Sequence, residues 1–134
     1  MTPFHILLID DEVAHRESIA GFLRKQGYHV DTAASGNDGV RVMRSASADI
    51  VLTDFKMPDI SGEEVLRACN EYSPGTPVVV MTAFGSIEGA VRLMKMGAFD
   101  YLQKPIDLDE LLLVIERSRE RSTLLRENLA LREQ

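Results

Sequence analysis

Short runs of branched aliphatic residues alternate along this chain with longer stretches whose apolar positions recur every three or four residues. Four of the short runs, "FHILLID", "ADIVLTD", "TPVVVMT" and the weaker "AFDYLQK", read as strands. A fifth, "YHVDTAA", alternates apolar and polar, so only one of its faces needs burial. The intervening stretches have helical period. "EVAHRESIAGFLRKQG" sets Ile19, Phe22 and Leu23 on one stripe, with Gly27 where a helix would stop. "SGNDGVRVMRSA" is a poorer helix, carrying Gly36 and Gly39 near its start. "SGEEVLRACNEY" opens with Ser61 three residues before Glu64, the spacing of a capping box. "SIEGAVRLMKMG" repeats that opening with Ser86, presents a face of Ile87, Ala90, Val91 and Met94, and meets its terminator at Gly97.

The predicted order is therefore strand–helix repeated five times, which implies a parallel sheet covered by helices on both faces. Strands buried on both sides read as continuous apolar runs, as "ILLI", "IVL" and "VVVM" do, whereas "HVDTA" and "DYLQ" suit the edges. With right-handed crossovers the expected architecture is an α/β, doubly wound, flavodoxin-like five-stranded sheet in the order 2-1-3-4-5. Ligands in such sheets bind beyond the carboxyl ends of the strands, at the crevice between the first and third.

Composition narrows the reading further. The 134 residues suffice for one core, and 45% hydrophobic with 27% charged residues is ordinary for a globular protein. A net charge of −6 argues against nucleic-acid binding by this segment, which would need clustered Lys and Arg. No apolar stretch approaches the roughly 20 residues that span a bilayer, so no membrane partner is expected. "MTPFHILLIDDE" lacks a basic leader, and the single Cys69 excludes an internal disulfide; both suit the cytoplasm. Cys69 falls on the apolar face of its helix with Val65 and Leu66, a core position.

The chemistry gathers at the strand ends. The first strand ends in Asp10 and Asp11, the third in Asp54, the fourth in Thr82 and the fifth in Lys104. An acid closing a run as greasy as "DIVL" is costly unless something uses it, although Asp also caps turns. In the expected sheet order the acid pair lies on one side of Asp54, Thr82 lies on the other, and Lys104 can lean back over the pocket. Three carboxylates against one ammonium leave a deficit of two charges, which a divalent cation would close. Oxygen donors suit Mg²⁺, with Asp11 and Asp54 as direct ligands, the Lys56 carbonyl as a third, and Asp10 acting through water. Such a pocket fits a phosphoryl group, with Thr82 and Lys104 bonding its oxygens and central Asp54 as the nucleophile.

"LLIDDE", "LTDFKMPDISG", "VVVMTAFGS" and "DYLQKP" together resemble the signature segments of the bacterial response-regulator receiver domain, over residues 4 to about 118. The resemblance implies a CheY-like fold. It implies Mg²⁺-dependent phosphotransfer from the phosphohistidine of a sensor histidine kinase to Asp54, followed by slow self-dephosphorylation. The chain would thus catalyse its own phosphorylation and dephosphorylation while serving mainly as a switch in a phosphorelay. It further implies a cis peptide before Pro105, and a switch in which Thr82 moves toward the phosphoryl group and Tyr101 turns into the vacated space. That motion would remodel the face of helix 4, strand 5 and helix 5; the plainer reading of Tyr101 is a half-buried edge aromatic. Lys56 and Phe84, two residues after Asp54 and Thr82, would flank the phosphoryl group and tune the access of water. "MTAFGSIEGAVRLMKMGAFDYLQKPIDLDEL" resembles more closely still the receivers of the nitrogen-regulator (NtrC) type, which precede an ATPase that activates the alternative sigma factor and then a DNA-binding domain. No Walker-type phosphate loop or helix-turn-helix is present, so the expectation places any transcription-activating output outside this chain.

After Pro105 the sequence favours helix throughout, giving an extended C-terminal helix. Residues 1–118 are expected to form the receiver and 119–134 a helical linker. Heptads place Leu108, Leu111, Ile115, Ser118, Ser122, Leu125, Leu129 and Arg132 on one seam, which suggests a homodimer through this helix; a solvated, charge-laced helix is the alternative. Among rivals, an aspartyl-phosphate phosphatase of the haloacid dehalogenase type wants Asp-x-Asp where this chain has "DFK", and a flavodoxin wants a Ser/Thr/Gly loop where it has "DDE". A pseudo-receiver acting only as a dimerisation scaffold is the remaining alternative. His5, His15 and His29 look scattered, without a metal role, and His15 is expected on the surface of helix 1.

Overall fold

The structure, a computed structural model, describes residues 3–83 and 86–133, with the side chains of 132 and 133 excepted. Phe84, and the side chain of Arg132 on the heptad seam, lie outside the described residues. The elements run β1 (His5–Ile9), α1 (Val13–Lys25), β2 (His29–Ala33), α2 (Gly36–Ser45) and β3 (Ile50–Asp54). They continue with α3 (Gly62–Tyr72), β4 (Val78–Thr82), α4 (Ile87–Lys95), β5 (Asp100–Gln103) and α5 (Leu108–Glu133). All strand pairs are parallel and the sheet order is β2-β1-β3-β4-β5, as the burial pattern of the sequence predicts.

Alternation within the three central strands supplies two cores. Ile6, Leu8, Ile50 and Leu52 face Ile19 and Leu23 of α1 and Leu111 and Ile115 of α5. Leu7, Ile9, Val51 and Val80 face Met43, Leu66, Cys69 and Leu93 from α2, α3 and α4. Every residue of β3 and β4 is buried, whereas β2 and β5 are partly open, as edge strands of a two-sided sheet should be.

Three helices begin on a serine. Ser35, Ser61 and Ser86 accept hydrogen bonds from the backbone N–H groups of Asp38, Glu64 and Gly89, at 3.1, 3.3 and 3.0 Å. The glycines that weaken α2 as a helix serve its packing: a Cβ on Gly36 or Gly39 would lie 2.3 Å from Ile60 or Ile9 respectively. Gly27 and Gly97, at φ 95° and 100°, end α1 and α4 in the left-handed region open to glycine.

Two helices divide their apolar positions between core and solvent. The stripe of Ile87, Val91 and Met94 on α4 points outward, with Ile87 82% exposed, and the helix is pinned by Leu93 instead. In α5 the heptad seam divides. Leu111, Ile115 and Ser118 are buried against the chain's own sheet, whereas Leu125 and Leu129 beyond them are exposed. The first half of that seam is therefore committed to the fold and only its second half faces outward.

Candidate active site

The ends of β1, β3, β4 and β5 each deliver a part of the pocket. Asp54 is the last residue of β3, and its side chain is buried among β1, β4 and the loop that follows. The Phe55 N–H donates to the Met81 carbonyl at 2.8 Å and the Lys104 N–H to the Thr82 carbonyl at 2.7 Å, so the sheet ladder holds past the strand ends. Gly62 lets α3 start directly against this ladder. Its N–H reaches the Phe55 carbonyl at 2.7 Å, and a Cβ there would lie 2.8 Å from both the Asp54 carbonyl oxygen and the Phe55 Cα.

Lys104 Nζ donates to Asp54 Oδ2 at 2.9 Å, and the Lys104–Pro105 peptide is cis. Asp10, Asp11 and Asp54 each offer a carboxylate oxygen within 4.8 Å of the others. Thr82 is buried at the end of β4, and Asp11, Asp54, Lys56, Ala83 and Lys104 join it in lining a cleft of about 540 Å³. The structure thus gathers Asp10, Asp11, Asp54, Lys56, Thr82 and Lys104 in one place. Tyr101 stands apart, half-buried beside the exposed face of α4, where Ile87, Ala90, Val91 and Met94 share a groove with it.

Burial raises the carboxyl of Asp54 above its ordinary range; the Lys104 hydrogen bond and charge pull it back, and the charges of Asp10 and Asp11 push it up. A dense all-oxygen donor set, together with an acid held back from ionising by burial first and by its like-charged neighbours second, is chemically suited to a hard divalent cation. The residues present therefore fit Mg²⁺.

Asp10 has protein partners on both oxygens. Oδ1 accepts from the Glu12 N–H at 2.9 Å, and Oδ2 meets His15 Nδ1 in a short contact. Arg16 Nη1 donates to the Asp10 carbonyl at 2.9 Å. His15 is accordingly no surface residue: the first turn of α1 leans over the end of β1 and brings the imidazole, 23% exposed, onto the buried acid. Its sequence signal, a histidine one turn after an acid pair, is too common to single it out.

Asp59 plays a different part. Its carboxylate accepts from the Gly36 and Asn37 N–H groups at 3.2 and 2.7 Å, so it caps α2 from the far side of the β3–α3 loop. Burial works to raise its pKa, but the N–H groups of Asn37, Ile60 and Gly36 outweigh it and hold the carboxyl below its ordinary value.

Comparison with known proteins agrees with this geometry. Residues 6–116 match the family model described as the response regulator receiver domain. The transcriptional regulatory protein ZraR of Salmonella typhimurium is 40% identical over 113 residues, which cover 84% of this chain and 26% of ZraR. GlrR of Escherichia coli is 37% identical over 120 residues, covering 90% of this chain and 27% of GlrR. Among solved structures, NtrX from Brucella abortus superimposes with a TM-score of 0.89 at 32% identity, over 97% of this chain and 30% of that one. The chain spans about a quarter of the length of these curated relatives, which are regulators of the NtrC family. This chain belongs to the response regulator receiver domain family of two-component systems.

Proposed function

We infer that the chain accepts a phosphoryl group from the phosphohistidine of a sensor histidine kinase onto Asp54. The observation that carries this reading is a buried carboxylate at the end of a central strand, with the Lys104 ammonium 2.9 Å away and two further acids in reach. An Asp54 oxygen attacks phosphorus as the phosphorus–nitrogen bond of the donor breaks, and the departing imidazole nitrogen takes up a proton. The chemistry asks for little beyond positioning and charge stabilisation. Lys104 neutralises one phosphoryl oxygen and Thr82 donates to another. Asp10, Asp11, Asp54 and the Lys56 carbonyl would hold Mg²⁺, which when bound screens the acids from the incoming phosphoryl oxygens. Return of the Asp54 carboxylate by hydrolysis resets the switch.

Output follows from movement of Thr82 toward the phosphoryl group and of Tyr101 toward the space it leaves. The groove beside Tyr101 has little holding it closed, since α4 buries only Leu93. A change in the α4–β5–α5 face would pass along α5, whose outer leucines Leu124, Leu125 and Leu129 are exposed and suit pairing with a second copy. The partners on this reading are a histidine kinase and, as in the longer NtrC-family relatives, an ATPase and a DNA-binding output, with the protein acting in the cytoplasm. Among the described residues no helix is long and apolar enough to cross a membrane.

Incubation with acetyl phosphate and Mg²⁺ followed by intact-mass measurement tests the reading. Wild type should gain one phosphoryl group, and Asp54→Asn, or wild type freed of divalent metal, should gain none. An unmodified wild type that also fails to bind beryllofluoride would overturn it.

A further inference from the structure

At the opposite pole of the sheet, the amino ends of β1 and β2 unite two histidines that are far apart in sequence. His5 and His29 are register partners, and Asp31 lies two residues beyond His29 on the same face. The imidazole centroids are 4.7 Å apart. His5 Nε2 lies 2.7 Å from Asp31 Oδ2, and His29 Nε2 lies 3.7 Å from that same oxygen. One ligating atom from each of the three falls within 4.8 Å of the others. Parallel strand pairing, invisible in the spacing of the histidines, creates the cluster.

The hydrogen bond on the far side of His5 decides what the cluster suits. His5 Nδ1 lies 2.9 Å from the Ser47 carbonyl oxygen. A carbonyl only accepts, so the hydrogen sits on Nδ1, and the Nε2 of a neutral ring turns its lone pair toward a carboxylate. Two acceptors that close need a cation between them. A proton on His5 would serve that one pair, whereas His29 Nε2, 3.7 Å from the same oxygen, stands beyond hydrogen-bond reach of it. A metal ion engages all three groups at once, and a backbone carbonyl on the outer nitrogen is the support that metal-bound imidazoles commonly carry.

We propose that His5, His29 and Asp31 bind a divalent transition-metal ion, best matched by Zn²⁺ with solvent completing the shell. Donors about 2.0–2.1 Å from a tetrahedral zinc stand about 3.3 Å apart, so Asp31 must draw back from His5 at 2.7 Å and His29 must close in from 3.7 Å. Asp31 and His29, 46% and 57% exposed, have the freedom to do so, while His5 is anchored. The site is independent of the carboxylate pocket in place and in chemistry: two imidazole nitrogens with one carboxylate here, oxygen donors alone there. Its occupation would clip the edge strand β2 to β1.

The test is a Zn²⁺ titration of the full chain against a chromogenic chelator, with excess Mg²⁺ present to occupy the oxygen site. Wild type and Asp54→Asn should each bind one Zn²⁺ at micromolar concentration, and His29→Gln and Asp31→Asn should bind it at least about 10-fold more weakly. Zn²⁺ should also raise the Tm of wild type but not of His29→Gln. Because His29 is exposed, that variant should match wild type in far-UV circular dichroism and in metal-free Tm. Equal Zn²⁺ affinity in the variants, no binding by wild type, or binding lost in Asp54→Asn would each overturn the proposal.

Discussion

Asp54 at the end of β3 and Asp59 within the loop that follows lie five residues apart, yet their surroundings push them in opposite directions. Asp54 ends a buried strand among like charges, and its carboxyl resists ionisation despite Lys104. Asp59 sits on the surface under the N–H groups that open α2, and its carboxyl ionises more readily than usual. One position stores unfavourable electrostatics that a bound cation can release; the other contributes to the fold. An acid's identity in the sequence therefore says little until its donors are known.

The sharpest way to break the contrast is to disturb the start of α3, which packs against the backbone of Asp54. Gly62→Ala places a Cβ against the backbone of Asp54 and Phe55, and should cost about 2–3 kcal/mol, read as a lowered denaturant midpoint. Asp54→Asn should do the reverse. In metal-free buffer near neutral pH it should stabilise by about 1 kcal/mol, a Tm rise of roughly 3–5 °C for a chain of this size. Asp59→Ala should lose about 0.5–1 kcal/mol, with faster amide exchange confined to the first turn of α2. If both aspartate variants move stability in the same direction, the contrast fails.

Titration sharpens it further. The folded pKa of Asp54 lies above the ordinary carboxyl value of 3.8, so its contribution to stability falls as pH rises from there through the folded value. The gap between wild type and Asp54→Asn should therefore close on acidification, and at neutral pH it should narrow when Mg²⁺ is added. Asp59 behaves oppositely: its stabilisation is present above 3.8 and is lost as pH falls through its depressed folded value. Chemical denaturation across the acid range, compared between the two variants, checks both signs. The smallest effect is expected at Cys69, whose thiol burial pushes up to about 11; native protein should react with a thiol reagent far more slowly than unfolded chain.

Much of this was legible in the sequence, for identifiable reasons. Sheet order could be read because two-sided burial writes itself as unbroken aliphatic runs, and the acids, Thr82 and Lys104 could be placed because strand ends fix where side chains converge. What escaped depended on relations between elements. The contact of His15 with Asp10 depends on how α1 leaves β1, and the pairing of His5 with His29 depends on strand register. The stripe on α4 told which residues share a face but not that Leu93, beside it, enters the core. The heptads of α5 run through Ser118 without a break in period, while burial changes sides there.

That last feature has a mechanical consequence. Because α5 is one helix through Glu133, its outer portion is a rigid arm about 22 Å long, at 1.5 Å per residue beyond Ser118. A tilt of about 10° at Ser118, the last buried among the described residues of the helix, would carry the tip through roughly 4 Å, about three-quarters of the 5.4 Å pitch of a helical turn. The arm converts a small angular change at the core into a displacement of several ångströms at its tip.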